Sequence, residues 1–447
     1  MKNRHNNLFP AIKTDRNLSL YDNSGTGDLF SLRHRLNLNI IFNGVRSVNV
    51  TSDSRYLIIT FESNEGRIRI VDLKKLEFLP DKYLGHTDSV RLTSITKDNK
   101  SFYTASWDGT ARRFDISTGK CTQIFGGFGR SPSCFLDIDQ KYLFTASYDS
   151  DYDIDSKNAG RCWDVISGKI INVYKHTVET CKIESIDIAF DKENVYTGSD
   201  DGIAYKWNLK GKKPVLKYFS FNGSVRKIAV SKNYLAAACT DGHVRIHNKY
   251  SGEYFKYFVH GKVDVRDVRI SKDETKIWSA ADDGSVKCYN LKTGKVIYHK
   301  FLHSNWIWSI CLMNDEKILV TGSSDSSIVF LSAESGQILA RLINVLNNKD
   351  FLITCPPDKT FPDGFFYTTN KNYIEVDIRH NKRAWKRLQI NDPKREDYIR
   401  KLNLKNLVIT RLKNDGQYNA LTEQYIQNQK ALNYTAASHK SFRLLNA

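Results

Sequence analysis

Four histidines each precede an aspartate by 22 to 25 residues: His86 and Asp108, His176 and Asp201, His260 and Asp283, His303 and Asp325. An imidazole beside a carboxylate is the equipment of general acid–base catalysis. A single active site needs one such pair. Here they recur at a regular place in successive stretches of chain, so a structural role is the expectation. A second cluster, Asp149, Asp151, Asp153 and Asp155, places carboxylates at alternate positions like the first half of a calcium loop. The EF-hand form wants Gly sixth and Glu twelfth, where Ile154 and Gly160 stand, and a solvated acidic loop is the expectation. The eight cysteines, at 121, 134, 162, 181, 239, 288, 311 and 355, lie singly, with no C-x-x-C pair and no histidine cluster at ligand spacing. That argues against zinc and for small buried thiols in a reducing compartment. The run Gly126-Gly127-Phe128-Gly129 has no helix start after it to make a phosphate loop, and neither a P-loop nor a G-x-S-x-G elbow occurs. No constellation supports an enzyme, a metal or a cofactor.

These residues sit on a repeating frame. A strand ending in an apolar or aromatic residue followed by Asp, Asn or Ser recurs at Val71-Asp72, Phe114-Asp115, Trp163-Asp164, Trp207-Asn208, His247-Asn248, Tyr289-Asn290, Leu331-Ser332 and Val376-Asp377, at intervals of 40 to 49 residues. Such a period marks a repeat architecture. Each unit carries three strand signals in order, as in SVRLTSITKD, SFYTASWDG and TARRFDI, rich in β-branched and aromatic residues. A fourth follows a Gly-bearing turn in several units, as in YSGEYFKYF and KTGKVIYHK, so each unit is expected to form a four-stranded antiparallel sheet. The Asp-Gly steps at 108–109, 201–202, 241–242 and 283–284 predict two-residue hairpin turns.

Over about residues 38–378 these units resemble WD40 repeats. The resemblance implies an all-β fold, a WD40-type β-propeller in which each unit spans parts of two blades. It also implies that the His–Asp pairs hold their blades together by hydrogen bonds; Gly85-His86 keeps the family's Gly-His dipeptide. The fifth unit departs, with Asn222-Gly223 and no histidine before Asp241, and the first lacks both residues, so those blades must be held differently. Eight strand triplets predict eight blades, with residues 38–42 closing the ring; Pro356-Pro357 and a missing Asp-Gly turn make the eighth unit irregular, and seven blades is the alternative. The expected division is an N-terminal arm (1–36), the propeller (37–390) and a basic, helical C-terminal extension (391–447), with helix starts near Asp392 and from Leu404. A second resemblance covers about 350–412, similar to the closing segment of bacterial WD40 proteins often joined to caspase-like or TIR-type effectors.

The formal net charge is +18, with the excess greatest at the termini. The N-terminus has no apolar h-region and no run approaches the ~20 apolar residues of a membrane span, so a soluble cytoplasmic protein is expected. Interaction residues are sought among large side chains near the loops: Trp107 and Tyr148 at matching places beside Asp108 and Asp149, Trp306 opening the seventh unit with Trp308 two residues on, and Arg130 in a loop after the glycine run. Aromatics and arginine dominate binding hot spots. The expected function is a non-catalytic protein-interaction scaffold, or a sensor or adaptor subunit of a multi-protein complex, partnering a separately encoded effector if the second resemblance holds. The alternative is nucleic-acid binding through a basic face and terminal segments bearing Trp385, Lys386, Arg387, Lys394 and Arg395.

Overall fold

The computed structural model describes residues 34–35, then 44–344 with interruptions at 64, 81, 127–129, 137–140, 149–158, 176–185, 200 and 219–222, then 351–356, 358, 365–368, 375–381, 384–387 and 404–413. Seven antiparallel sheets stand in chain order, each built on four consecutive strands, with two more added to the last. Their first strands are Val45–Val50, Val90–Ile95, Arg130–Leu136, Ile186–Phe190, Val225–Val230, Val265–Ile270 and Ile307–Met313. Each first strand packs on the first strand of the blade before and after it, and that of blade seven packs on that of blade one. The result is a closed ring, a seven-bladed β-propeller.

Burial explains the strand sequences. Second strands such as Ser101–Ser106 and Ile318–Ser323 are buried at every residue because a neighbouring blade covers each face. Both faces are therefore apolar or small, and the strands read SFYTAS, YLAAAC and ILVTGS rather than alternating apolar with polar. Outer strands such as Cys121–Phe125 and Pro214–Tyr218 mostly alternate between exposed and partly buried. The dipeptide that sets the repeat ends the third strand. Its polar residue turns the chain: Asp72 accepts from the Lys74 and Lys75 N–H groups, Asp115 from Thr118, Asp164 from Ser167, Asn248 from Tyr250 and Asn290 from Thr293.

The eight-blade expectation is corrected to seven. Phe351–Cys355 and Phe365–Thr368 begin no new blade. They pair onto the outer strand of blade seven, Ile338–Asn344, making it a six-stranded sheet with Arg341 opposite Thr354. Val376-Asp377 lies in Glu375–Asn381, which pairs with Ala384–Arg387 and His34–Arg35 in a separate three-stranded sheet. The ring is already shut by then. A Cβ on Gly322 of blade seven would lie 2.7 Å from Val45 and 2.8 Å from Val48 of blade one, so the missing side chain lets the two blades meet. Ser309 Oγ lies 3.4 Å from both the amide and the carbonyl of Val48, and the Asn314 N–H donates to Ser54. Residues 38–42 lie outside the described residues.

The hairpin turns also differ from expectation. Gly109, Gly242 and Gly284 donate to Ser106, Cys239 and Ala281 at 3.2–3.3 Å, three residues back, and each has positive φ. The loops therefore hold three residues, with glycine in the left-handed place of the bulge that ends them. At Gly284 a Cβ would also sit 2.1 Å from the His303 carbonyl oxygen. Blade seven makes the same turn with Ser326, at φ 69°.

The helix Lys405–Lys413 lies where blades seven and one meet. Its Leu407, Val408 and Leu412 join a single apolar cluster with Val71 and Leu76 of blade one and Cys311 and Leu342 of blade seven. Lys405 reaches Glu77 at 3.3 Å and Arg411 reaches Asp358 at 3.0 Å. Val408 is fully buried there. Val408→Asp should lower unfolding free energy by about 3 kcal/mol or more, through burial of an unpaired charge. Lys405→Ala, which removes an exposed ion pair, should change it by under about 0.5 kcal/mol. Urea denaturation followed by tryptophan fluorescence checks both.

Candidate functional site

The histidine–aspartate pairs lie in the hydrogen-bonded interior of the blades. In blade two His86 Nδ1 is 2.6 Å from Asp108 and Nε2 is 2.7 Å from Thr104 Oγ1. In blade seven His303 Nδ1 is 3.1 Å from Asp325 and Nε2 is 2.7 Å from Thr321 Oγ1. In blade six His260 bonds Ser279 at 2.6 Å and Ser285 at 2.9 Å, with Asp283 more distant at 3.8 Å. His176 lies outside the described residues; Asp201 accepts from the Ile203 N–H.

The residue common to these networks is a hydroxyl in the second strand, which the sequence reading missed. In blades three and four the same position, Thr145 and Thr197, accepts the indole N–H of Trp163 and Trp207 at 2.9 Å. The strand registers align Thr104, Thr145, Thr197, Ser279 and Thr321 with Ile59 in blade one and Ala237 in blade five. Those two blades lack the histidine as well as the hydroxyl. Blade five instead joins Asp241 to Arg245 through both guanidinium nitrogens, one at 2.9 Å. In blade one Arg69 lies over Phe78. The signal was present in the T-A/G-S and S-A endings of the second strands.

Burial sets the protonation of these groups. It pushes His86, His260 and His303 below the usual imidazole range, His260 to about 4, against the pull of the nearby aspartates. Burial acts upward on Asp108, but hydrogen bonds from His86 and Thr110 outweigh it and hold the carboxyl down to about 2. The same balance at Asp325 gives a lowered carboxyl. A neutral His86 donates from Nδ1 to Asp108 and accepts at Nε2 from Thr104. Solvent-poor neutral imidazoles locked at both nitrogens fasten strands together.

A different set of side chains gathers where the first strands begin. In blades one, two, five, six and seven the first strand has a bulge at its second residue: Arg46, Arg91, Arg226, Arg266 and Trp308. A bulge leaves its residue out of the ladder and re-aims the side chain. These five make a collar. Trp308 is its hub, with the guanidinium carbons of Arg46, Arg266 and Arg91 at 3.3, 4.6 and 5.5 Å from a ring centroid. Arg91 also lies 4.0 Å from Trp107, and Arg266 lies 5.3 Å from Trp306. Trp306 and Trp308 meet edge to face at 5.3 Å. Carboxylates tie the arginines in place: Glu62 to Arg46 at 3.6 Å, Asp282 to Arg266 at 2.5 Å, and Asp264 to Arg226 and Arg266 at 3.6 and 3.7 Å. Burial raises the Glu62 carboxyl despite hydrogen bonds from Ser324 and Trp308.

Two of the four sequence-chosen interaction residues, Trp107 and Trp306, thus belong to one collar, joined through Arg91, Arg266 and Trp308. Trp306 is 41% exposed. Arg130 starts a strand rather than lying in a loop, and its backbone pairs with that of Tyr148; their side chains lie outside the described residues, as do Asp149–Asp155. The collar arginines had a legible mark, because four first strands open on Val-Arg: VRSVNV, VRLTSI, VRKIAV and VRDVRI. Among the described residues, no group of three or more His, Cys, Asp and Glu could hold a metal, and no helix is long and apolar enough to cross a membrane.

Seven contiguous blades, each built on four consecutive strands and five of them fastened through a second-strand hydroxyl, define a WD40-type propeller. Residues 79–115 and 294–330 match the WD domain, G-beta repeat. The second match runs from the outer strand of blade six into the first three strands of blade seven, so the sequence repeat straddles two blades. The chain is a WD40-repeat β-propeller. It is 24% identical over 257 residues to the human F-box and WD repeat domain containing protein 10B, covering 48% of this chain and 34% of that protein. It is 21% identical over 299 residues to the WD repeat-containing protein 91 homolog of Dictyostelium discoideum, covering 62% and 38%. With the guanine nucleotide-binding protein subunit beta of Saccharomyces cerevisiae it shares 23% over 241 residues, covering 51% and 55%. The chain spans about a third to a half of the length of these relatives.

Buried histidines held neutral make stability depend on pH. An imidazole with a lowered folded pKa contributes stability that is complete above about 6.5 and is lost as pH falls toward the folded value. Melting temperature should therefore drop as pH falls from 7 to 5, with a further loss below 3.8 as Asp108 protonates toward its folded value of about 2. Asp108→Ala should cost about 2–3 kcal/mol at pH 7 by leaving His86 without its acceptor. Calorimetry across pH on wild type and variant checks the sign and the size.

Proposed function

We propose that this chain is a non-catalytic protein-interaction scaffold or adaptor subunit that grips its partner across the arginine–tryptophan collar. The single observation carrying this reading is that bulged first-strand arginines from three blades, Arg46, Arg91 and Arg266, converge on Trp308, the bulged residue of a fourth. Bulges bring distant parts of the chain to one place, and the residues brought are the types that dominate binding hot spots. The guanidinium groups are pre-positioned by Glu62, Asp264 and Asp282 and by ring faces, so little side-chain entropy is lost on binding. The imidazole–carboxylate pairs are locked inside blades, which supports a non-catalytic role. One partner class this reading admits is a separately encoded effector, on the resemblance of residues 350–412 to the closing segment of bacterial effector-linked propellers. The expectation of a cytoplasmic location goes with it.

Native affinity capture from the source cells, followed by mass spectrometry, is the test. Wild type should retain a stoichiometric protein partner that Arg91→Glu/Trp306→Ala loses while melting at nearly the same temperature. Elution of wild type alone as a monomer, or an unchanged partner set with the double variant, would sink the reading.

A further inference from the structure

Of the fifteen large hydrophobic side chains exposed among the described residues, eight lie on or beside the outer strands of the adjacent blades five and six: Tyr250, Tyr254, Phe255, Tyr257, Val259, Val296, Ile297 and Phe301. That concentration is a patch rather than the usual scatter. The outer strands are Tyr254–Val259 and Val296–Phe301, each the last of its four-stranded sheet. The edge strand of blade five is tied to blade six, since Lys256 Nζ donates to the carbonyl of Lys292, in the turn before the outer strand of blade six, at 2.5 Å, and the hydroxyl of Tyr289, on the third strand of blade six, donates to the Val259 carbonyl at 3.0 Å.

An edge strand carries unpaired backbone donors and acceptors, and proteins usually blunt such edges. Blade seven shows what this scaffold does with an outer edge: its chain returns and adds Phe351–Cys355 and Phe365–Thr368 as two further strands. The edge of blade four is blunted by Pro214. Blade five has neither device among the described residues. Its strand, YFKYFV, has high strand propensity and four aromatic rings.

The charge around this edge points to the occupant. Lys262, Lys292, Lys295 and Lys300 are exposed and Lys256 and Lys287 half-buried, while Glu253 is the one carboxylate within residues 249–262 and 291–301. We propose that the outer edge of blade five, with the facing strand of blade six, docks an acidic, extended segment of a protein partner. The segment adds as a fifth strand beside Tyr254–Val259, its backbone pairing with the open edge, its apolar side chains on Phe255 and Tyr257, and its carboxylates toward Lys292, Lys295 and Lys300. Main-chain pairing supplies affinity and alternate side chains supply specificity. This surface is separate from the collar, so it stands or falls independently of the proposed function.

The test is selection of a random twelve-residue peptide display library on the full chain. Enriched peptides should alternate Asp or Glu with β-branched or aromatic residues. Their binding should weaken at least about tenfold, near 1.4 kcal/mol, with Lys295→Glu/Lys300→Glu, and should be unchanged with the collar variant Trp306→Ala. Both lysines are exposed, so the charge variant keeps its fold, and a second variant, Tyr257→Asp, should act alike. N-methylation of alternate peptide residues should abolish binding in one phase of the alternation and spare it in the other. Four results would overturn the proposal: no enrichment; enriched peptides without acidic bias; binding that ignores both variants; or oligo(dT) binding this surface in place of peptide. Concentration-dependent dimerisation lost with Tyr257→Asp would assign the edge to a second copy instead, and equally overturn it.

Discussion

Ring closure is the constraint on which the rest depends. A propeller blade is covered on both faces only when every neighbour is present, and the last blade must meet the first. Among the described residues that junction is made by side-chain packing. Gly322 leaves room for Val45 and Val48, Ser309 bonds both backbone groups of Val48, and the apolar face of Lys405–Lys413 fills the outer part of the seam. Among the described residues each blade is made of consecutive strands and no sheet runs across the seam between blades seven and one, where the helix supplies buried apolar area.

Within five of the blades a second device fastens the strands to one another. A hydroxyl at the centre of the second strand binds an imidazole in blades two, six and seven and an indole in blades three and four. In blades one and five the hydroxyl is gone and so is the histidine. The histidine's value thus depends on its partner, since a buried imidazole lacking an acceptor or donor would be costly. Blade five shows a substitute chemistry, with Asp241 held by Arg245.

Between blades, polar side chains repeat the linkage. Asn99 of blade two reaches Ser52 of blade one, Glu274 of blade six reaches Ser231 and Asn233 of blade five, and Glu316 of blade seven accepts from Lys272 of blade six. Asn99, Glu274 and Glu316 each adopt positive φ in the turn between first and second strands, which aims them at the preceding blade. A rigid ring built this way keeps the collar side chains in register, although they come from residues as far apart as Arg46 and Trp308.

The sequence determined the repeat, the strand order within each blade and the histidine and aspartate members of its polar networks, because these are local: strand-length apolar runs, Asp or Asn turns, and His–Asp spacing all lie within about fifty residues. Trp163-Asp164 and its relatives mark the end of each third strand for that reason. Blade number was not local. Val376-Asp377 has the same letters, yet it lies in a separate sheet, because blade seven had already packed on blade one and the following strands joined an outer edge. The collar likewise was legible in sequence only in pieces, as Trp107, Trp306 and Trp308 and as four Val-Arg openings. Tertiary structure alone decided that Arg46, Arg91 and Arg266 meet on Trp308, since convergence of residues some 260 positions apart depends on the ring being closed.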